Sequence, residues 1–104
     1  MNTLHHPRPL RKVGVTLHRS HGEITLHDHD EDMIHVVNAT AAAIWELCDG
    51  ETEDSEMVRA ICELTGMPME IVQEDVAQLL AGFAEAHLIS WVGRNGDAPE
   101  TSGG

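Results

Sequence analysis

Aromatic residues, basic residues and long apolar runs are all scarce in this sequence. Trp45, Phe83 and Trp91 are its only Phe, Tyr or Trp residues, so a core must be built mostly from Val, Ile, Leu, Ala and Met. No run of about 18 apolar residues could form a membrane span. The N-terminus lacks the apolar segment of a secretory signal. We therefore expect a cytoplasmic protein of one domain with no membrane partner.

The few basic residues are concentrated near the N-terminus. The 104 residues include 6 basic and 18 acidic ones, which gives a net charge of −12. Four of the basic residues precede position 20, and every acidic residue lies from Glu23 onward. A surface this acidic repels a phosphate backbone. It favours a basic partner protein or serves solubility alone, and we expect no nucleic-acid partner.

The patterns that carry catalysis are also missing. No serine lies in a Gly-x-Ser-x-Gly context, and no glycine-rich phosphate loop occurs. Cys48 and Cys62 are the only cysteines. Each lies in an apolar helical pattern, which is typical of a buried small hydrophobic residue rather than a redox pair. We expect no enzyme activity and no cofactor.

The histidines raise the question of a metal site. His27 and His29 alternate with Asp28 and Asp30, and this group could hold Zn²⁺ or Ni²⁺ weakly. A second ligand pair at a defined spacing, such as two histidines one helical turn apart, is missing. A solvated polar turn is therefore the favoured interpretation, and we predict no metal site.

Composition divides the chain into three parts. Residues 1–10 contain two prolines and little periodicity, and we interpret them as a flexible arm. Residues 11–92 form the predicted domain. Residues 93–104 are rich in Gly, Asp, Pro and Ser, which is typical of a disordered tail.

Three short strands are predicted at the start of the domain. Alternating apolar residues mark one strand at Val13–Leu17 and a second around Ile24–Leu26. Met33–Val37 is nearly continuous in apolar residues, which suggests a third strand that is buried on more than one side. The turns between them are short, so the strands should form an antiparallel meander.

Three helices should follow the strands. Asn38 or Thr40 can cap the first, Thr52 can cap the second, and Pro68 opens the third. Gly50 and Gly66 suit left-handed positions after the first two helices. The third should run to about Ala86, and residues 88–92 resemble a short strand or wing. We therefore predict an α+β, winged helix-turn-helix-like fold, with a three-stranded antiparallel sheet followed by three helices.

The usual function of a winged fold is DNA binding, but the third helix argues against it. This helix would be the recognition helix, and it contains no Lys or Arg. Its exposed side carries Glu70, Glu74, Asp75, Gln78 and Glu85. Base and phosphate contacts need basic or amide side chains. A winged-helix transcriptional regulator remains an alternative, and it would bind duplex DNA in a salt-sensitive way.

A peptide-binding role suits the same fold better. If the third strand lies beside the third helix, its edge could accept an extended peptide through main-chain hydrogen bonds. The simpler interpretation is that Val76, Leu79 and Phe83 on that helix are only core. One helix face can serve both purposes.

Two segments resemble the PqqD family. The first is Val36-Val-Asn-Ala-Thr-Ala-Ala-Ala-Ile-Trp-Glu-Leu-Cys-Asp-Gly50, which is similar to the family's hydrophobic pair, Asn, small-residue run and terminal Asp-Gly. In the second, Glu74-Asp75-Val76-Ala-Gln-Leu79-Leu80 resembles the Asp-Val-x-x-Leu-Leu of the family's last helix, and Ala86-His-Leu-Ile89 resembles the Ala-Gly-Leu-Ile ending that follows it. His87 departs from the family's usual glycine. The resemblance covers about residues 11–92.

The resemblance implies a function and a set of site residues. Members are peptide chaperones, or recognition elements for ribosomally made and modified peptides. The leader of a precursor peptide adds as a strand beside the third strand, against the third helix. The domain presents this precursor leader peptide to a modifying enzyme, which in pyrroloquinoline quinone biosynthesis is a radical S-adenosylmethionine (radical SAM) protein. An assembly partner without peptide affinity is a further alternative. Carried over, the peptide-binding residues would be Ile34, His35, Val36, Val37, Asp75, Val76, Leu79, Leu80 and Phe83, and some of the helix residues would serve the core.

Overall fold

The predicted α+β architecture is confirmed by a computed structural model that describes residues 8–92. Most of the predicted N-terminal arm, residues 1–7, and the predicted tail, residues 93–104, lie outside this range. The elements in chain order are β1 (Arg8–Arg11), β2 (Val15–Ser20), β3 (Glu23–Asp28), β4 (Met33–Val37), α1 (Ala39–Glu46), α2 (Asp54–Thr65), α3 (Met69–Glu85) and β5 (Ile89–Val92).

Strands β2, β3 and β4 form the predicted antiparallel sheet. Leu17, Leu26 and His35 face one another across it. The turn between β2 and β3 is His21-Gly22, and both residues have a positive φ, as a two-residue hairpin with the right-handed twist of its strands requires. The sheet presents Val15 and Leu26 to the core that the helices complete.

A second, two-stranded sheet was not predicted. Residues 8–10, which we assigned to the flexible arm, instead belong to β1, which pairs antiparallel with β5. Arg11 N–H donates to Cys48 O at 2.8 Å, and Lys12 N–H donates to Leu88 O at 3.0 Å. The prediction was wrong because the partners of β1 lie far away in the sequence, where local periodicity does not reveal them.

The predicted start of the first meander strand was also wrong. Val13 is 90% exposed, and β2 begins only at Val15. Gly14 has a φ of +95°, and its position lies against the Asp30 carboxylate. The chain therefore turns at residues 13 and 14, which removes Val13 from the alternation that Val15 and Leu17 follow.

Most of the predicted helix ends are confirmed. The Asn38 side chain accepts a hydrogen bond from Ala41 N–H at 2.7 Å and caps α1. Gly66 follows α2 in the left-handed region, with a φ of +74°. Thr52 does not cap α2, because Glu53 takes that position and its N–H donates to the Glu56 carboxylate at 2.9 Å. Glu56 lies three residues after the cap, as a capping box requires.

The core lies between the inner face of the sheet and the three helices. Its largest fully buried apolar side chains include Leu26, Ile44, Met57, Val72, Val76 and Leu88. Trp45 is nearly buried, and its indole N–H donates to Leu88 O at 3.3 Å. Within residues 8–92, no helix is long and apolar enough to cross a membrane.

Candidate functional site

Strand β4 is an open edge of the three-stranded sheet. It pairs with β3 on one side, and within residues 8–92 no other strand pairs with it. Edge strands are commonly protected by lysine, proline or a bulge, and Met33-Ile-His-Val-Val37 contains neither a lysine nor a proline. The edge can therefore accept another strand through its free main-chain groups.

The side chains of β4 alternate between two surfaces. His35 lies opposite the buried Leu26 and is half-buried on the helix side, as is Val37. Ile34 and Val36 lie on the outer face and are 63% and 66% exposed. The expectation that this apolar strand is buried on more than one side was wrong, because the helices cover only its inner face.

Helix α3 lies beside this edge at two separate clefts, and we call the space between α3 and β4 the groove. At one end, Asn38 and Thr40 line a cleft of about 440 Å³ together with Asp75, Gln78 and Leu79 of α3. At the other end, Met33 and His35 line a cleft of about 410 Å³ together with Asp28, Glu31, Glu85, Ala86 and His87. The early part of α3 thus lies beside the end of β4, and the late part beside its start. The helix and the strand run in opposite directions.

The sequence-predicted site residues fall into three groups. Asp75 and Leu79 line the groove, and His35 and Val37 lie on the same inner side of β4. Ile34 and Val36 flank the open edge on the outer face. The remaining three are core residues, no more than 6% exposed, and support the groove from behind: Val76, Leu80 and Phe83.

The groove carries negative charge at both ends. Asp75 is exposed at one end and Glu85 at the other. Within residues 8–92, neither forms an ion pair. Like the rest of α3, this face has no Lys or Arg. A peptide with basic side chains matches the groove better than an acidic one.

Asp28 is a positioning residue that sequence reasoning missed. It is 1% exposed, and its carboxylate accepts from Lys12 Nζ at 2.9 Å and from Asp30 N–H at 3.0 Å. The hydrogen bond from Lys12 lowers the pKa of the Asp28 carboxyl, although desolvation opposes it. These bonds fix the turn that leads into β4. The available signal was alternation, because Asp28 continues the inward face of Ile24 and Leu26.

The histidines of the outer face contact one another and a hydroxyl. The rings of His27 and His29 lie 4.0 Å apart. The Thr16 hydroxyl lies within hydrogen-bonding distance of both His18 and His29. Among the described residues 8–92, no group of three or more His, Cys, Asp or Glu side chains is arranged to hold a metal ion.

The Cys48 thiol is buried and unsuited to nucleophilic chemistry. Its Sγ lies 3.2 Å from Ile44 O, to which the thiol donates. Desolvation raises its pKa to about 12, so the reactive thiolate is suppressed near neutral pH. Both cysteines are free, and Cys62 is half-buried. The predicted burial is confirmed for Cys48 and is partial for Cys62.

His87 stands where the PqqD family motif usually has glycine. It has a φ of +60° just after α3, a region that a residue with a Cβ atom occupies at a cost. Its N–H donates to Ala84 O at 3.1 Å. The motif position therefore has a left-handed backbone even with histidine there.

Comparisons with known proteins give one family and two related structures. The family model "Coenzyme PQQ synthesis protein D (PqqD)" matches residues 23–89, which is more than half of the chain. The structure "TbiB1 in Complex with the TbiA(beta) Leader Peptide" aligns with a TM-score of 0.67 and 21% identity, over 86% of this chain and 99% of that one. "Lasso peptide synthetase B1 complexed with the leader peptide" aligns with a TM-score of 0.70 and 13% identity, over 80% and 98%. At these identities the two structures establish a shared fold. A comparison with curated proteins gave no match.

Proposed function

The chain belongs to the PqqD family, and we propose that it is a non-catalytic peptide chaperone that binds the leader of a ribosomally made precursor peptide. The observation that carries this proposal is the open edge of β4 beside α3. Both aligned structures are complexes with leader peptides, which supports a leader as the occupant of this edge.

Binding would proceed by strand addition. The leader would extend beside residues 33–37 and exchange main-chain hydrogen bonds with the free groups of β4. Alternate side chains of the leader would then point toward α3 and toward the outer face that holds Ile34 and Val36. The main chain supplies affinity in this mode, and the contacts of alternate side chains supply specificity.

The second part of the proposal concerns the partner enzyme. A domain whose role is to hold the leader needs a separate enzyme to modify the precursor. We assign this role to a peptide-modifying enzyme of the radical SAM type, as in pyrroloquinoline quinone biosynthesis, and we place the complex in the cytoplasm, where precursor peptides are made.

The experiment is a titration with labelled leaders from precursor peptides encoded near this gene. Fluorescence anisotropy on the full chain should show saturable binding by one of them. Replacing leader amides one at a time with N-methyl amides removes main-chain donors and should weaken binding at alternate positions within a short segment. Methylation outside that segment is the matched control. Equal affinity for every N-methylated leader would contradict strand addition.

An assembly partner without peptide affinity is the second candidate. Four large apolar residues are exposed around the turn between α2 and α3, far from β4 in sequence: Leu64, Met67, Met69 and Ile71. Glu63 and Glu70 flank them, so a modifying enzyme with a basic surface could dock there. Enzyme binding that persists when no leader binds anywhere on the chain would favour this candidate.

A further inference from the structure

The carboxylates at the two ends of the groove are spaced like residues i and i+4 of a strand. Asp75 and Glu85 are ten residues apart on α3, which corresponds to about 15 Å along the helix axis. A strand rises about 3.3 Å per residue, so its residues i and i+4 lie about 13 Å apart. They also point to the same face. A leader beside β4 could therefore place one side chain near each carboxylate.

The middle of the groove has unfilled room. Gly82 lies one turn after Gln78 and one turn before Ala86, and both of these residues line the clefts. Among residues 8–92, a Cβ atom at Gly82 would meet no heavy atom within 4 Å other than those of its chain neighbours and of its own helix backbone. Its backbone is an ordinary helical one, because Gly82 is not among the residues that have a positive φ. Neither packing nor conformation requires glycine here, although a helix-interior glycine costs about 1 kcal/mol relative to alanine.

These observations define the side chains that the groove fits. Resting on the function proposed above, we infer that the leader segment bound at β4 has a basic residue at positions i and i+4 and a large apolar residue at i+2. The two cations face Asp75 and Glu85. The large residue lies beside His35, between Leu79 and the open space over Gly82. Positions i+1 and i+3 flank Ile34 and Val36 and tolerate β-branched or apolar residues.

Selection from a random library tests this pattern without knowledge of the natural leader. A phage-displayed library of random linear peptides is panned on the full chain. Peptides that compete with one another and perturb the amides of residues 33–37 are sequenced. We expect enrichment of Lys or Arg at i and i+4 and of a large apolar residue at i+2.

A charge exchange tests the carboxylates directly. Asp75→Lys should lower the affinity for a selected peptide by about tenfold or more, because the new Lys then faces a basic residue of the peptide. Replacing the facing Lys of the peptide with Glu should restore binding to this variant. Glu51→Lys changes the net charge equally at an exposed residue that lines neither cleft, and it should leave the affinity of the original peptide within about twofold.

A second pair of substitutions, one in the protein and one in the peptide, tests the space over Gly82. Gly82→Leu fills that space with a good helix former, so it should lower the affinity for peptides that have a large residue at i+2. Peptides with Gly or Ala at i+2 should keep their affinity for this variant. Equal losses for both peptides would overturn the assignment of this space.

The outcomes separate this inference from the function beneath it. Peptides that bind the β4 edge without the basic, large, basic pattern would refute the inference and leave strand addition standing. Leaders and selected peptides that all avoid residues 33–37 would refute the proposed function, and the inference with it.

Discussion

Replacing Gly82 with alanine should make the domain more stable. The position is inside α3, where alanine is favoured over glycine by about 1 kcal/mol. Within residues 8–92, the new methyl group would touch no heavy atom within 4 Å apart from its chain neighbours and the backbone of its own helix, so no clash offsets this gain. For a domain of this size, 1 kcal/mol corresponds to a rise in Tm of about 4–8 °C.

The assay is thermal unfolding followed by circular dichroism at 222 nm. Ala81→Gly is the matched control, because Ala81 is exposed on the neighbouring, solvent-facing side of α3. It should lower the free energy of unfolding by about 1 kcal/mol. A lower Tm for Gly82→Ala would show that packed atoms occupy the space over Gly82, and would refute the open groove.

Three further predictions follow from other parts of the structure. The pKa of the Asp28 carboxyl lies below its ordinary value of 3.8. The charged carboxylate therefore stabilises the fold above pH 3.8, and this stabilisation is lost as the pH falls through the lower folded-state pKa. In urea melts at several acidic pH values, the free energy of unfolding of Asp28→Asn should therefore change less with pH than that of the unsubstituted protein. Asn38→Ala removes the cap of α1 and should lower the free energy of unfolding by about 1 kcal/mol, and an unchanged urea midpoint would contradict this. In a Cys62→Ser variant, Cys48 should resist a thiol reagent at pH 8 until urea unfolds the chain, because its pKa is raised to about 12; rapid labelling of the folded variant would contradict the burial.

Local patterns in the sequence predicted the meander and the helices well. The alternation of apolar and polar residues around Leu17 and the apolar stripe of α3 each depend on neighbours within a few residues, so periodicity reveals them. Asn38 and Gly66 were identified by the same local logic, since caps satisfy the groups of one helix end. Strand β1 was missed because its pairing with β5 is long-range.

The candidate site was predicted less completely than the fold. The family resemblance proposed residues on β4 and α3, and it left open which helix residues serve the core; Val76, Leu80 and Phe83 do. The position of the sheet edge decides which residues of an apolar helical stripe are exposed. This position cannot be read from a single sequence. Gly82 escaped notice for a related reason, because an unfilled space is a property of the packed groove.

The most direct test of the account is residue-specific hydrogen exchange with and without a bound leader. In the free protein, the amides of residues 33–37 that point away from β3 should exchange rapidly, because within residues 8–92 no strand covers that edge. Leader binding should protect these amides, and only weakly change the buried amides of α1. Saturating leader with no added protection in residues 33–37 would contradict strand addition at β4.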